Sequence, residues 1–404
     1  MKYLLIIGGN EQSYPVISFA KERGYKILLI DKDKHCPGSN IADFQIIESI
    51  YNRSKIIEEL DRLNLPIVGA ICIAADAPLT LSRICSKYSL KGPSEYTAKH
   101  SSNKILMKEL FLKNNLLIPH FAKVSKYTEI IDLFSRFPKL VIKPSDSRGA
   151  RGVFLLEKSF SKQQIKFFFN ESLKYSPSSE VMVEEYLEGD QLSTESIIID
   201  GCSHTIGVSD RNYSMLERFL PNIIEDGGDM PSKYIGTYAN EINMLVQNVA
   251  NVFKMKNGIL KGDLVINDNQ LKIIEFACRG SGGYFCTHQI PLQTGVNFID
   301  LAIKNATGQK IHSNEFNVSS EPLFVSQRYM FSEPGKIKRI KIPSRLDDYR
   351  IEYIDITCKL GDVVEKTTAH TSRLGMVICS GNSREHAMQN VDTVIKSIEI
   401  ALEE

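Results

Sequence analysis

Apolar residues come first in short unbroken runs and later in alternation, and that change of rhythm divides the chain. Runs at 3–7, 26–30 and 68–73 read as buried strands, and helical patterns at 15–23 and 54–63 fall between them. Strand alternating with helix predicts an open parallel sheet of Rossmann type. From Ser101 a helical pattern runs through Lys104, Met107, Leu110 and Leu112 with one apolar face. Strand patterns follow at 139–143 and 180–187, and an apolar hairpin at 262–266 and 272–277 is joined by Asn267-Asp268-Asn269, residues that tolerate positive φ. Beyond residue 320 the pattern predicts strands at 323–329, 351–359 and 376–380. A final helix is expected from Ser383 to Leu402, with Met388, Val391, Val394, Ile395, Ile398 and Leu402 on its apolar stripe. The expected organisation is a Rossmann-like lobe at 1–100, an α+β core at 101–310 and a small α+β subdomain at 311–404, an α/β protein throughout.

Composition narrows the class. A chain of 404 residues exceeds the size of one core, so several lobes are expected. With 43% hydrophobic and 24% charged residues it reads as an ordinary globular protein. A net charge of +1 gives no reason to expect nucleic acid or an anionic membrane as partner. The opening run Tyr3-Leu4-Leu5-Ile6-Ile7 is too short for a leader or a membrane span and flows into Gly8-Gly9, which favours a first strand. Eight scattered cysteines without metal-ligand spacing fit a reducing cytoplasm.

Three segments carry chemistry. In the hairpin, a turn centred on Asp268 brings Asp263 and Glu275 to the same end of the strand pair, with Arg279 just beyond. Two hard carboxylates with an open side suit Mg²⁺, or Mn²⁺, shared with phosphate oxygens. Upstream, a strand ends at Lys143-Pro144 and enters Ser145-Asp146-Ser147-Arg148-Gly149-Ala150-Arg151-Gly152, a basic, glycine-punctuated loop able to approach phosphates. It lacks Walker A spacing. A third segment, Glu184-Glu185-Tyr186-Leu187, ends an apolar strand where extended backbone can meet an adenine edge.

Taken in order and spacing, Lys104, Lys143 with its loop, Glu184 to Leu187, Asp263, Glu275 and Arg279 closely resemble the ATP-grasp superfamily, in its biotin carboxylase-like and carboxylate–amine ligase branch. The resemblance implies that Lys104 and Lys143 contact ATP phosphates and that the loop with Arg148, Gly149 and Gly152 closes over them. It implies that Glu184, Glu185, Tyr186 and Leu187 hold adenine and that Gln191 meets the ribose. Asp263 and Glu275 then bind Mg²⁺, and Arg279 holds the substrate carboxylate or its acyl phosphate. Two positions depart from the family pattern. Ala277 stands where a third metal ligand, Asn, is common, and Gln191 replaces a charged ribose partner.

The expected activity is an ADP-forming ligase that activates a small carboxylate as an acyl phosphate for attack by an amine. The family resemblance also makes a homodimer an expectation. Three other readings stand beside it: a bicarbonate-activating carboxylase, an ATP-binding sensor or assembly protein with little turnover, and a dinucleotide oxidoreductase. For the last, Asp31 sits where a ribose-binding acid belongs, but Gly8-Gly9-Asn10-Glu11-Gln12-Ser13 lacks the dinucleotide fingerprint. Asp76, after a buried strand, reads as a helix N-cap before a substrate contact. The segments 208–213 and 282–288 are candidates for the acceptor side, with His288 read as structural before catalytic.

Overall fold

The computed structural model describes residues 2–343 and 347–403. Strands Phe44–Ile46, Lys26–Ile30, Tyr3–Ile7 and Ile67–Cys72 form a parallel sheet in that order. Helices Tyr14–Glu22, Arg53–Leu63 and Pro78–Lys87 cover it. Because both faces are covered, the strands are apolar without alternation: Leu4 to Ile7 and Ile27 to Ile30 are all buried.

The helix expected from Ser101 is two helices, Glu95–Ser102 and Lys104–Lys113. Asn103 breaks the run: its backbone is extended, and its side chain accepts from the N–H groups of Ile105 and Leu106 at 3.0 and 3.1 Å. This cap makes Lys104 the first residue of the second helix.

A four-stranded antiparallel sheet, ordered Phe121–Val124, Val181–Glu185, Lys139–Pro144 and Phe154–Glu157, forms one lobe of the core, backed by helices Tyr127–Leu133 and Lys162–Lys174. Facing it is an eight-stranded sheet in the order Gln270–Ala277, Gly258–Asn267, Asp190–Ile199, Cys202–Asn212, Gly227–Met230, Phe324–Met330, Gly375–Gly381 and Ile351–Ile356. The long helix Ile235–Val252 packs on it through Ile242, Val246 and Val249, each worth roughly 1.5–3 kcal/mol of burial. Three of the carboxy-terminal strands, Phe324–Met330, Gly375–Gly381 and Ile351–Ile356, thus continue this sheet. A separate three-stranded sheet joins Val363–Val364, Gly335–Lys341 and Glu399–Leu402.

That last strand corrects the expected closing helix, which ends at Ser397. Ile398 is extended, and Ile400 and Leu402 pair with Ile340 and Ile337. Their apolar side chains continue the helical spacing by coincidence, and those of Ile400 and Leu402 are half-buried against a strand far off in sequence.

Candidate active site

The hairpin forms with the expected register. Asp263 is directly paired with Glu275, and the chain reverses at Asp268 and Asn269, with φ of 51° and 57°. A bulge follows Asp263, where the register shifts before Leu264. Directly paired residues of antiparallel strands project on the same face, so both carboxylates open to one side. There they border a cavity of about 870 Å³ running between the two lobes and the carboxyl ends of the parallel strands.

Cations ring the two acids. Asp263 forms ion pairs with Lys261 and, at 3.2 Å, with Arg211, and accepts from Ser193 Oγ at 2.9 Å. Lys104 Nζ lies 3.7 Å from Glu275. Burial alone would push the Glu275 carboxyl up, but Lys104, Lys261, Lys143 and Arg279 outweigh it and hold the group well below the usual carboxylate range. A pair of ionised oxygen donors facing a chamber is the donor set a hard divalent cation takes. Among the described residues no cluster of three or more metal-ligating side chains exists, so further ligands have to come from a bound group or water. At the position paired with Lys261 stands Ala277, whose side chain contributes no oxygen.

Lys143 is buried at the end of its strand, 2.5 Å from Glu184 Oε2. The loop behind it is tethered at its start by Lys104, whose N–H donates to Ser145 O at 2.7 Å and whose Nζ donates to Ser147 O at 2.8 Å. At its tip Arg148 stacks on Tyr51, 4.2 Å from the ring centre, and donates to Asp76 O at 3.2 Å. Gly149 O accepts from the His370 N–H at 3.1 Å. The loop is thus docked on both the amino-terminal lobe and the carboxy-terminal region.

At the other wall, the Glu185 and Tyr186 N–H groups donate to His120 O and Lys139 O at 2.8 and 3.2 Å. Among the described residues the next N–H, that of Leu187, has no backbone acceptor, which leaves it for a ligand edge. Gln191, on the strand paired with Val265, borders the same space.

Arg279 stands where the cavity meets the amino-terminal lobe. Gly280 holds it there: its N–H donates to Cys72 O and its carbonyl accepts from Ala74 N–H, both at 3.2 Å. Asp76 is not the helix cap expected. The cap position is Ala77, and the Asp76 carboxylate lies 4.0 Å from Arg279 and 3.9 Å from Arg148. Asp31 spends its oxygens on the N–H groups of Gly9 and Asp33, at 2.8 and 3.0 Å.

Of the expected site residues, Lys104, Lys143, Arg148, Gly149, Glu184, Glu185, Tyr186, Leu187, Gln191, Asp263, Glu275 and Arg279 border this one cavity. Gly152 does not. Its φ is 71°, and a Cβ there would sit 3.0–3.2 Å from Tyr175, Pro144 and Ser172, so it seats the loop's end against a helix. His288 likewise stays off the cavity, with Nδ1 on Thr287 Oγ1 and its ring against Tyr284 and Tyr353, the structural role expected.

Comparison with known proteins matches these features to described families. A model described as the ATP-grasp domain covers residues 101–283, and one described as L-amino acid ligase C-terminal domain 2 covers 328–403. The chain carries an ATP-grasp domain. A curated relative, formate-dependent phosphoribosylglycinamide formyltransferase of Prochlorococcus marinus subsp. pastoris, is 25% identical over 198 residues, 47% of this chain and 48% of that protein. The chain spans less than half the length of the curated relatives it matches. Two solved structures share the fold over nearly all of both chains. L-amino acid ligase from Bacillus licheniformis has TM-score 0.83 at 16% identity, covering 100% of this chain and 99% of that one. Phosphoribosylglycinamide synthetase from Anaerococcus prevotii has 0.76 at 20%, covering 100% of each.

Lys261, Glu225, His370 and Arg373 border this cavity and were missed from the sequence, whereas Arg211 belongs to the segment 208–213 expected to line it. Lys261 stands two positions before Asp263, the spacing that places strand residues on one face, and that signal was legible. Arg211 pairs with Glu225 at 2.8 Å, and Arg373 lies 3.5 Å over the Tyr329 ring and donates to Glu225 O. Burial pushes the neighbouring His370 imidazole well down, helped by Arg373, Arg211 and Lys261, so it is neutral. Among the described residues, no helix is long and apolar enough to cross a membrane.

Proposed function

We propose that this protein is an ADP-forming ligase that activates a small carboxylate with ATP and couples it to an amine. The observation that carries this reading is the paired Asp263 and Glu275, ringed by cations, with Arg279 bordering the same cavity beside the amino-terminal lobe.

A carboxylate is a poor acyl donor, because its leaving group is oxide. Transfer of the γ-phosphoryl group to its oxygen gives an acyl phosphate and ADP, and an amine then attacks the acyl carbon as phosphate leaves. The first step brings two anions together, so its barrier is electrostatic. Lys104, Lys143 and Arg148 place positive charge along the path of the triphosphate. Asp263 and Glu275 would hold Mg²⁺, which would supply further charge neutralisation when bound. Arg279 offers a planar fork that aligns the carboxylate in a way a lysine would not. The loop at 145–152, docked on Tyr51, Asp76 and His370, excludes water from the acyl phosphate.

An amino acid as carboxylate donor fits the pairing of Arg279 with Asp76, a cation for its carboxylate beside an acid for its ammonium. The match to an L-amino acid ligase domain supports the same choice. Cytoplasmic placement is part of the proposal, supported by eight free cysteines and the need for ATP. A homodimer is the expected assembly, tested by light scattering.

The test of function is phosphate release from Mg²⁺–ATP against pools of amino acids and other carboxylates, with mass spectrometry of any product. Release that requires both a carboxylate and an amine supports the ligase. Release with bicarbonate alone favours a carboxylase, and tight ATP binding without turnover in any pool favours a sensor.

A further inference from the structure

Helix Lys104–Lys113 carries a second lysine, Lys108, that does not line the cavity described above and is completely buried. Its Nζ lies 3.0 Å from Glu184 Oε1 and donates to Ile273 O at 3.0 Å. The other oxygen of Glu184 is taken by Lys143 at 2.5 Å. One carboxylate therefore serves two ammonium groups, and of the two only Lys143 faces the cavity.

The charge count of this triad matters. Lys143 and Glu184 alone would form a neutral buried pair, whose field at the cavity largely cancels. With Lys108 behind them the group carries a net charge of +1. Charge buried at such depth is costly unless something rewards it. Lys108 also ties its own helix to two other parts of the site, since Glu184 lies on the proposed adenine wall and Ile273 lies two residues before Glu275. We propose that Lys108 is a positioning residue for nucleotide binding: by sharing Glu184, it leaves Lys143 free to give its charge to the phosphates of ATP.

The groups facing Lys108 are Glu184, Lys143 and Glu275, one from each of three strands. Burial, with Lys143 adding to it, lowers the Lys108 ammonium to about 8, although Glu184 and Glu275 oppose the shift. Glu184 stays ionised: its two lysines outweigh the burial that would push it up. Loss of the Lys108 proton above that pH would turn the triad neutral, as its substitution does.

The inference rests on the nucleotide reading of the cavity, and the experiment separates the two. Dissociation constants for ATP are measured by calorimetry, and those for adenosine by ligand-observed NMR, for the wild type and Lys108→Met. The expected result is ATP weakened roughly tenfold, the effect of one lost charge at low effective dielectric, with adenosine unchanged. A merely structural lysine would weaken both ligands alike, and that result, or unchanged ATP affinity, overturns the assignment. Should Lys108→Met fail to fold, the wild type decides: ATP binding should weaken between pH 7.5 and 9 while adenosine binding stays flat, and a flat ATP profile overturns it. Wild-type protein that binds no ATP would remove the nucleotide reading itself.

Discussion

Replacing Glu275 with Gln removes one negative charge from a site with four cations around it and changes almost nothing in shape. At 3.7 Å and an effective dielectric near 20, its gross attraction to Lys104 is about 4 kcal/mol. Both side chains retain some solvent contact, so the net contribution to stability is at most about 1 kcal/mol after desolvation. The melting temperature should therefore drop by no more than about 2–4 °C. Because the folded-state pKa of Glu275 is depressed, its stabilisation is present above the unfolded carboxyl value of about 4.3 and is lost as pH falls through the folded one. The difference in stability between Glu275→Gln and wild type should begin to narrow below about pH 4 and close only as pH falls through the depressed folded value. Turnover should respond far more. Loss of one electrostatic partner of the reacting phosphoryl group costs about 10²–10³-fold in kcat. A coupled ADP assay with a magnesium titration reads this directly, alongside calorimetry to confirm the fold. Wild-type turnover in a folded Glu275→Gln protein would refute the role assigned to the hairpin.

Other substitutions probe different parts of the account. Glu195 is fully buried beneath Ser281, whose N–H it accepts at 3.2 Å, and burial raises its carboxyl to about 7. Its neutral form is favoured in the fold, so this contribution is complete below about pH 4.5 and is lost as pH rises through 7. Glu195→Gln should match wild type in thermal stability at pH 5 and exceed it at pH 8.5, by up to about 3 kcal/mol; equal melting points at both pH values would contradict the burial argument. Gly152→Ala should lower stability by about 1–2 kcal/mol from its left-handed backbone alone, yet leave the ATP dissociation constant of the folded protein unchanged. Arg148→Ala frees the loop tip from Tyr51 and Asp76. The variant should release more phosphate per product formed, and an unchanged ratio would show that the loop does not guard the intermediate.

The hairpin was legible because its information is local: alternation sets which face each residue takes, and the turn residues set the register that pairs Asp263 with Glu275. The parallel strands were legible for a similar reason, as continuous apolar runs. What escaped depends on contacts between distant segments. Lys108 has ordinary helix spacing, and nothing near it in sequence announces Glu184 as its partner. Glu225, His370 and Arg373 reach the site only because the carboxy-terminal strands extend the same sheet through Gly227–Met230. Asp76 was read as a cap because the local pattern fits one; the stitching of Gly280 to Cys72 and Ala74, about two hundred residues away, turned it towards two arginines instead. The helix expected to reach Leu402 failed for the same cause, since its last apolar residues found a strand partner.

The central claim is that a carboxylate oxygen takes the γ-phosphoryl group. Once a substrate pair is in hand, the reaction is run with ¹⁸O in the carboxylate and the released phosphate is analysed by mass spectrometry. The account requires one ¹⁸O atom in each phosphate and ADP as the nucleotide product. Phosphate without label, or label appearing in AMP, would contradict it.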